Sequence, residues 1–428
     1  MYKIMKNNKA SRDASCMDDF DKNSITTDQA LKRIFNTISP ITKSEIISIR
    51  EGLNRILGEN IKSQINVPSS RNSAMDGYAI NKVDIPKEKT NVLKIIGKSL
   101  AGSPFIKPIK KGECVRIMTG AVMPHGADTV VIQEHVSISN TNTEIIIDKN
   151  TKPEANVRHA GEDISVGEIV LRKGKSLTPA DIGLLASLGL SQISVIRRLK
   201  VAFFSTGNEL RSIGEELTDG EIYDSNRYTL HAMLSRLNVE IIDLGVVKDN
   251  KNLLAKAFNE AGERADLLIT SGGVSVGEAD YVKDILSDHG DINFWKVAIK
   301  PGRPLIFGNL SNTLFFGLPG NPVSVMVTFY QFVQPAIKKL SGDISDLPLT
   351  IKVSSASKLK KKPGRVEFQR GIIEKDNNNK ITVRKTGPQG SGILSSMSDA
   401  NCFIVLPLDS KGVEPGDLVD VQIFNGII

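Results

Sequence analysis

A multidomain α/β fold is predicted, and three observations predict it. The chain has 428 residues, too many for one ordinary hydrophobic core, so about two to four domains are expected. From Val201 to about Leu340, apolar β-like runs alternate with segments of helical period, the pattern of a parallel sheet covered by helices on both faces. On either side of that unit the texture is β-rich, with short runs separated by turn residues.

The elements follow in order. The first residues, MYKIMKNNKASRDASCMDDFDKNS, are polar and lack an apolar stretch. They read as a mobile tail and not as a secretory signal. TTDQALKRIFNTI has an acid in its first turn and apolar residues at helical spacing, and ITKSEIISIREGLNRIL is read as more helix, to about residue 62. From Ile65 to Asp163 the runs YAIN, VLKIIG, ECVRIM, TVVIQE and TEIIID are short strands. In TPADIGLLASLG, Thr178 can cap a helix, Pro179 suits its first position and Gly189 ends it. A polar hinge, RRLK, leads into the α/β unit. Its strands are VAFFST, EIIDLGVV, DLLITSGG, INFWKVAIK and LIFG. Its helices are SNRYTLHAMLSRLN, NKNLLAKAFNEAGERA and ADYVKDILSDHG, followed by the long apolar helix of GLPGNPVSVMVTFYQFVQPAIKKL. From about Leu347 the chain is β-like again, ending in FIVLPL and DLVDVQIF.

Composition narrows the function. Hydrophobic residues make up 40% and charged residues 24%, so a soluble globular protein is expected. No apolar run reaches the roughly 18 residues that span a bilayer, so no membrane is expected. Three widely spaced cysteines and five histidines give no zinc ligand set and fit a reduced, cytoplasmic setting. The net charge of +7 suits an anionic ligand. Lysines are spread along the chain without interleaved aromatics, so nucleic acid is not the expected partner.

In an open α/β sheet, ligands sit beyond the carboxyl ends of strands. LLITSGGVSVGEADYV lies at such an end. Gly272, Gly273 and Gly277 let backbone N–H groups approach an oxyanion, Ser275 offers a hydroxyl, and Asp280 opens the next helix. Thr206, Gly207 and Asn208, with Glu209 beside them, follow the first strand, and Asp249 follows EIIDLGVV. Glu209, Asp249 and Asp280 are strand-end acids, and such acids beside a phosphate suit a hard cation such as Mg²⁺ held with waters. Helix capping is the alternative at each acid, and a tight structural turn the alternative for the loop. WKVAIKPGRP adds Lys296, Lys300 and Arg303. The first two are four apart on one expected strand, so they should share a face, and Pro301 and Gly302 stiffen the turn. In GLPGNPVS, Pro319, Gly320, Asn321 and Ser324 form a glycine-led helix start, a common anion site. Asp76 in NSAMDGYA, Thr119 in RIMTGA, Asp163 in VRHAGEDI, Arg370 in PGRVEFQRG and Ser391 in GPQGSG are polar-loop candidates whose place relative to the sheet does not follow from spacing.

SAMDGYA, RIMTGA, GED, FFSTGNEL, TSGGVSVGEADY, KPGRP and GLPGNPVS occur in that order. Together they resemble the MoeA family of molybdopterin molybdenumtransferases, relatives of the gephyrin E domain, over nearly the whole chain. The motif positions show no departure, although Asn208 stands where many relatives have Asp. The resemblance implies a tail at 1–25, an extended helical/β dimerisation domain from 26–62 and 164–194, and an inserted β-rich domain at 63–163. It further implies a MogA-like molybdopterin-binding α/β domain at 195–345 and a C-terminal β-barrel at 346–428. The implied reaction joins molybdate to adenylyl-molybdopterin with Mg²⁺-dependent release of AMP. Glu209, Asp249, Asp280, Lys296 and Lys300 would be catalytic, with Asp249 and Asp280 holding Mg²⁺ and the strand-end glycines and the Pro-Gly turns around the substrate. Arg370 and Ser391 would help bind molybdate. A second subunit of a homodimer would contribute Asp76, Thr119 and Asp163. Other molybdenum cofactor synthesis proteins and apo-molybdoenzymes are the implied further partners. Two rival readings are a non-catalytic gephyrin-like scaffold and a molybdopterin adenylyltransferase. The intact set of acids and lysines argues against the first, and the extra domains against the second.

Overall fold

The computed structural model describes residues 24–273, 290–310, 312–345 and 348–424. Residues 1–23 of the N-terminal tail and all but the final glycine of the expected helix ADYVKDILSDHG, with Ser275, Gly277 and Asp280, lie outside the described residues.

The central sheet has six strands. Their spatial order is Glu240–Val247, Lys200–Thr206, Leu267–Ser271, Thr313–Leu318, Pro304–Leu310 and Gly290–Lys296. The first four are parallel. Pro304–Leu310 runs antiparallel to both of its neighbours and is the one reversed strand, which corrects the all-parallel expectation. The reason lies in the connections: two residues separate Leu310 from Thr313, enough for a hairpin but not for a crossover helix. Alternate residues of the first strand face opposite cores. Val201 and Phe203 pack with Leu230, Met233 and Leu234 of helix Ser225–Ser235. Ala202 and Phe204 pack with Leu254, Phe258 and Ala261 of helix Lys251–Arg264. Burial on both sides explains why these strands read as unbroken apolar runs.

Helix Thr27–Thr37 starts at a capping box made by Thr26 and Gln29. Its buried Ala30 and Ile34 join the core of the α/β domain, and Ile41 N donates to Leu340 O at 2.8 Å. The helical expectation for the next segment is corrected. Ser44–Ser48 is a strand paired antiparallel with Gln192–Ile196. A β-branched-rich SEIIS favours an extended backbone, and the partner that holds it lies about 150 residues away in sequence. This strand pair, the short pair Ile61–Lys62 with Ile169–Leu171, and helix Pro179–Ser187 enclose a small core of Leu57, Leu177, Leu185 and Val195. The RRLK hinge is tied to the α/β domain by Arg197, whose Nη1 and Nη2 donate to Asp266 Oδ2 and Oδ1 at 2.8 and 2.7 Å.

Between these segments stands a second six-stranded sheet, ordered Thr129–Ile132, Gly77–Ile80, Glu113–Ile117, Thr90–Ser99, Glu144–Asp148 and Ser137–Ile138. Beyond the α/β domain, Thr350–Ser355, Ile381–Lys385, Val366–Lys375, Cys402–Leu406 and Leu418–Ile423 pair around a closed five-stranded barrel. Closure leaves no long unpaired edge. The barrel also pairs with the α/β domain: Ile299 and Lys300 add in parallel beside Val366 and Glu367.

Candidate active site

Strand ends of the central sheet form the first half of the site. Thr206 Oγ1 donates to Asp249 Oδ1 at 2.5 Å, and Asp249 N donates to the side-chain oxygen of Asn208 at 3.2 Å. The neighbouring strands are in register to do this, because Thr206 lies beside Val247. Glu209 is exposed, but its carboxylate folds back over Gly207: a methyl group added there would lie 2.7 Å from Glu209 Oε2. Gly272 and Gly273 both have positive φ, +91° and +67°.

Two residues that sequence reasoning passed over complete this half. Asn226 Nδ2 donates to Ser271 Oγ at 2.9 Å and to Gly320 O at 2.7 Å. Its Oδ1 is buried with no partner among the described residues, an acceptor open to a ligand's N–H group. Asp224 caps helix Ser225–Ser235 and accepts from Ser205 Oγ at 3.0 Å. Burial pushes its carboxyl above the usual range, against the pull of the Arg227 N–H and the Ser205 hydroxyl. The missed signal was Asp-Ser-Asn at a helix start directly after a short extended run, the same grammar that marked Asp249.

The second half is a cleft of about 340 Å³ between sheet and barrel. Lys300, Pro301, Gly302, Arg303, Pro319, Gly320, Asn321, Ser324, Arg370 and Ser391 all line it. Thus the Lys-Pro-Gly-Arg turn, the helix start and the two distant barrel-side residues come together. Asn321 occupies the N-cap of helix Pro322–Thr328 without a side-chain capping bond, which leaves its amide available in the cleft. Gly320 and Pro319 join the two halves, since their carbonyls accept from Asn226 and Ser271.

Lys296 does not share this wall. Its strand ends at Lys296, Val297 N–H bonds to Arg303 O at 3.0 Å, the chain bends at Ala298, and Ile299–Lys300 starts anew beside the barrel. The expectation of one strand carrying both lysines is therefore corrected.

Arg370 reaches the cleft from beneath. It is 1% exposed. Its guanidinium donates to Gln389 O at 3.1 Å, Gly390 O at 2.9 Å, Pro388 O at 3.4 Å and Ser396 Oγ at 3.0 Å. It therefore shapes the loop that leads to Ser391, and Ser391 O accepts from Val323 N at 3.0 Å. Burial lowers the Arg370 pKa to about 10, still cationic at neutral pH.

Asp76, Thr119 and Asp163 stand apart, on and beside the inserted domain, and none lines the cleft of its own chain. Asp76 Oδ1 accepts from Thr119 N and Oγ1, both at 2.7 Å. These two bonds hold its carboxyl below the usual range. Asp163 N donates to Val67 O at 3.0 Å. A larger cavity, about 580 Å³, lies where the extended domain, α/β domain and barrel meet. None of the predicted site residues lies there.

Fold and cleft together define a multidomain α/β protein with a basic cleft between its sheet ends and a C-terminal barrel. Residues 25–189 match the MoeA N-terminal region (domain I and II), 206–339 the probable molybdopterin binding domain, and 352–424 the MoeA C-terminal region (domain IV). The chain is 45% identical over 405 residues to a molybdopterin molybdenumtransferase of Haemophilus influenzae, covering 94% of this chain and 100% of that relative. It is 34% identical over 458 residues to gephyrin of Dictyostelium discoideum, covering 95% of this chain and 63% of that protein. It superposes on the crystal structure of the molybdopterin biosynthesis moeA protein of Pyrococcus horikoshii OT3 with a TM-score of 0.82 at 28% identity, covering 94% of this chain and 100% of that one. The chain belongs to the MoeA family.

Proposed function

We propose that this protein is a molybdopterin molybdenumtransferase that joins molybdate to adenylyl-molybdopterin and releases AMP. The observation that carries this reading is the cleft itself: Lys300 and Arg303 of one turn, Asn321 and Ser324 of a helix start, and Ser391 of a barrel-side loop, three separate segments, face one small volume beside the strand-end loops. A tetrahedral dianion needs several donors and cations at once. The strand-end glycines would cradle the phosphate of the pterin, and Asn226 and Ser271 would orient its polar edge.

Mg²⁺ fits the donors present. Asp249 is half-buried, with one oxygen already oriented by Thr206. Among the described residues no three His, Cys, Asp or Glu side chains gather to form a protein cage. Mg²⁺ does not need one, since one or two carboxylates, waters and substrate phosphates satisfy it. When bound it would polarise the phosphoanhydride and stabilise the departing AMP. Asp249 would hold it, with Asp280 as the second carboxylate and Glu209 close by. Thr206 keeps Asp249 facing the site.

We further propose a cytoplasmic homodimer in which the partner brings its Asp76, Thr119 and Asp163 regions to the cleft. Two features support this: those residues lie away from the cleft of their own chain, and in the hydrogen-bonded Asp76–Thr119 pair Thr119 is exposed and Asp76 half-buried. Among the described residues no helix is long and apolar enough to cross a membrane.

The decisive experiment mixes the purified protein with adenylyl-molybdopterin, Mg²⁺ and molybdate and follows AMP. Molybdate-dependent AMP release is the expected result. Tight molybdopterin binding with no AMP would mean a carrier or scaffold. In the same assay Lys300→Ala is expected to raise the KM for molybdate about tenfold while that for adenylyl-molybdopterin moves less than about twofold. Equal rises in both would remove Lys300 from the oxyanion.

A further inference from the structure

We propose that Glu367 is a specificity-determining residue of the oxyanion cleft, one that occupies Lys300 in the resting protein and so holds off small anions. The proposal rests on reading the cleft as an oxyanion site. Glu367 is 6% exposed and lies on the barrel strand directly beside Lys300, in parallel register. Its Oε1 accepts from Lys300 Nζ at 3.2 Å and from Gln369 Nε2 at 3.0 Å. Val366 N donates to Ala298 O at 2.9 Å, which pins the two segments together. Among the described residues that line the cleft Glu367 is the one acid, set among Lys300, Arg303, Arg365 and Arg370.

A buried carboxylate costs free energy unless it is paired, and here the pair consumes a cation that the cleft could otherwise offer to a ligand. An entering anion must therefore take Lys300 from Glu367 and sit within the field of that carboxylate. A lone inorganic ion has few contacts to set against this. A dianion delivered beside a bound phosphate ester has many. Discrimination of this kind comes from a built-in repulsive element as well as from attraction.

Glu367→Gln isolates the charge, because an amide oxygen can still accept from both Lys300 and Gln369. The experiment titrates inorganic sulfate against the full chain by calorimetry and as an inhibitor of AMP release. Glu367→Gln is expected to bind sulfate about tenfold more tightly than the wild type and to be inhibited at correspondingly lower sulfate. Placed on a Lys300→Met background the same substitution is expected to give a clearly smaller gain, since the part of the effect that passes through Lys300 is gone and only the direct field of the carboxylate is relieved. Equal sulfate affinity in wild type and Glu367→Gln, or an undiminished gain on the Lys300→Met background, overturns the proposal. Glu367 also supports the charges of Arg370 and Lys361. Should Glu367→Gln fail to fold, Glu367→Asp keeps a carboxylate on the strand while drawing it back from Lys300. A smaller gain is then expected, and no gain overturns the idea. Sulfate binding needs no turnover. A gain without any AMP release would support Glu367 and refute the transferase reading, whereas normal molybdate use without a gain would refute Glu367 alone.

Discussion

Asp249→Asn is expected to lower molybdate-dependent AMP release by about a hundredfold or more with little change in melting temperature. Asparagine has the shape of aspartate and can still accept from Thr206 Oγ1, so the contact seen at 2.5 Å can persist. The residue is half-buried at a strand end and carries no core packing. What disappears is one negative charge at the point where the cation and the phosphates must meet. Excess Mg²⁺ should recover part of the lost rate if the defect is weakened metal affinity. Near wild-type turnover would remove Asp249 from the metal site and return it to the simpler role of shaping the turn before Asn250, the residue that caps helix Lys251–Arg264.

Gly272→Ala carries the second large effect, and it acts on fold and function together. Gly272 has φ +91°, and a methyl group there would lie 2.3 Å from Thr206 O. That atom is backbone at the end of a strand paired on both sides and cannot swing aside. The strain of an alanine at positive φ and the forced separation of the two strand ends add to about 2–4 kcal/mol. Thr206 is also the residue that orients Asp249, so the displacement reaches the metal site. Lowered melting of the α/β domain and AMP release reduced by about a hundredfold are expected together. A stable Gly272→Ala protein with full activity would show that the loop relaxes freely and does not depend on that close approach.

The composite nature of the cleft explains why some residues were easier to find than others. Gly272, Asp249 and Thr206 were legible because strand-to-loop transitions announce themselves: an apolar run stops, then glycine or an acid follows. Asn226 obeys the same rule at a helix start but carries no glycine, and it drew no attention. Glu367 stands two residues after Arg365 in a stretch that alternates charged and apolar side chains, as any barrel strand does. Nothing local distinguishes a glutamate that faces solvent from one that grips a lysine 67 positions away. Arg370 was legible only through a resemblance, and the bonds of its guanidinium to three successive carbonyls were not legible at all.

Local chemistry determined most of the elements. The helices Thr27–Thr37, Pro179–Ser187, Ser225–Ser235 and Lys251–Arg264 fall where caps and apolar period place them, because capping bonds and side-chain spacing are satisfied within a few residues. Pairing between distant segments was decided only in three dimensions. It made Ser44–Ser48 a strand through Gln192–Ile196. It set the reversed strand Pro304–Leu310 between two neighbours of opposite direction, and it broke the supposed strand between Lys296 and Lys300 so that Lys300 could join the barrel. Strand partners and cleft walls are contacts of long sequence separation, and their free energy depends on surfaces that do not exist until the chain has folded.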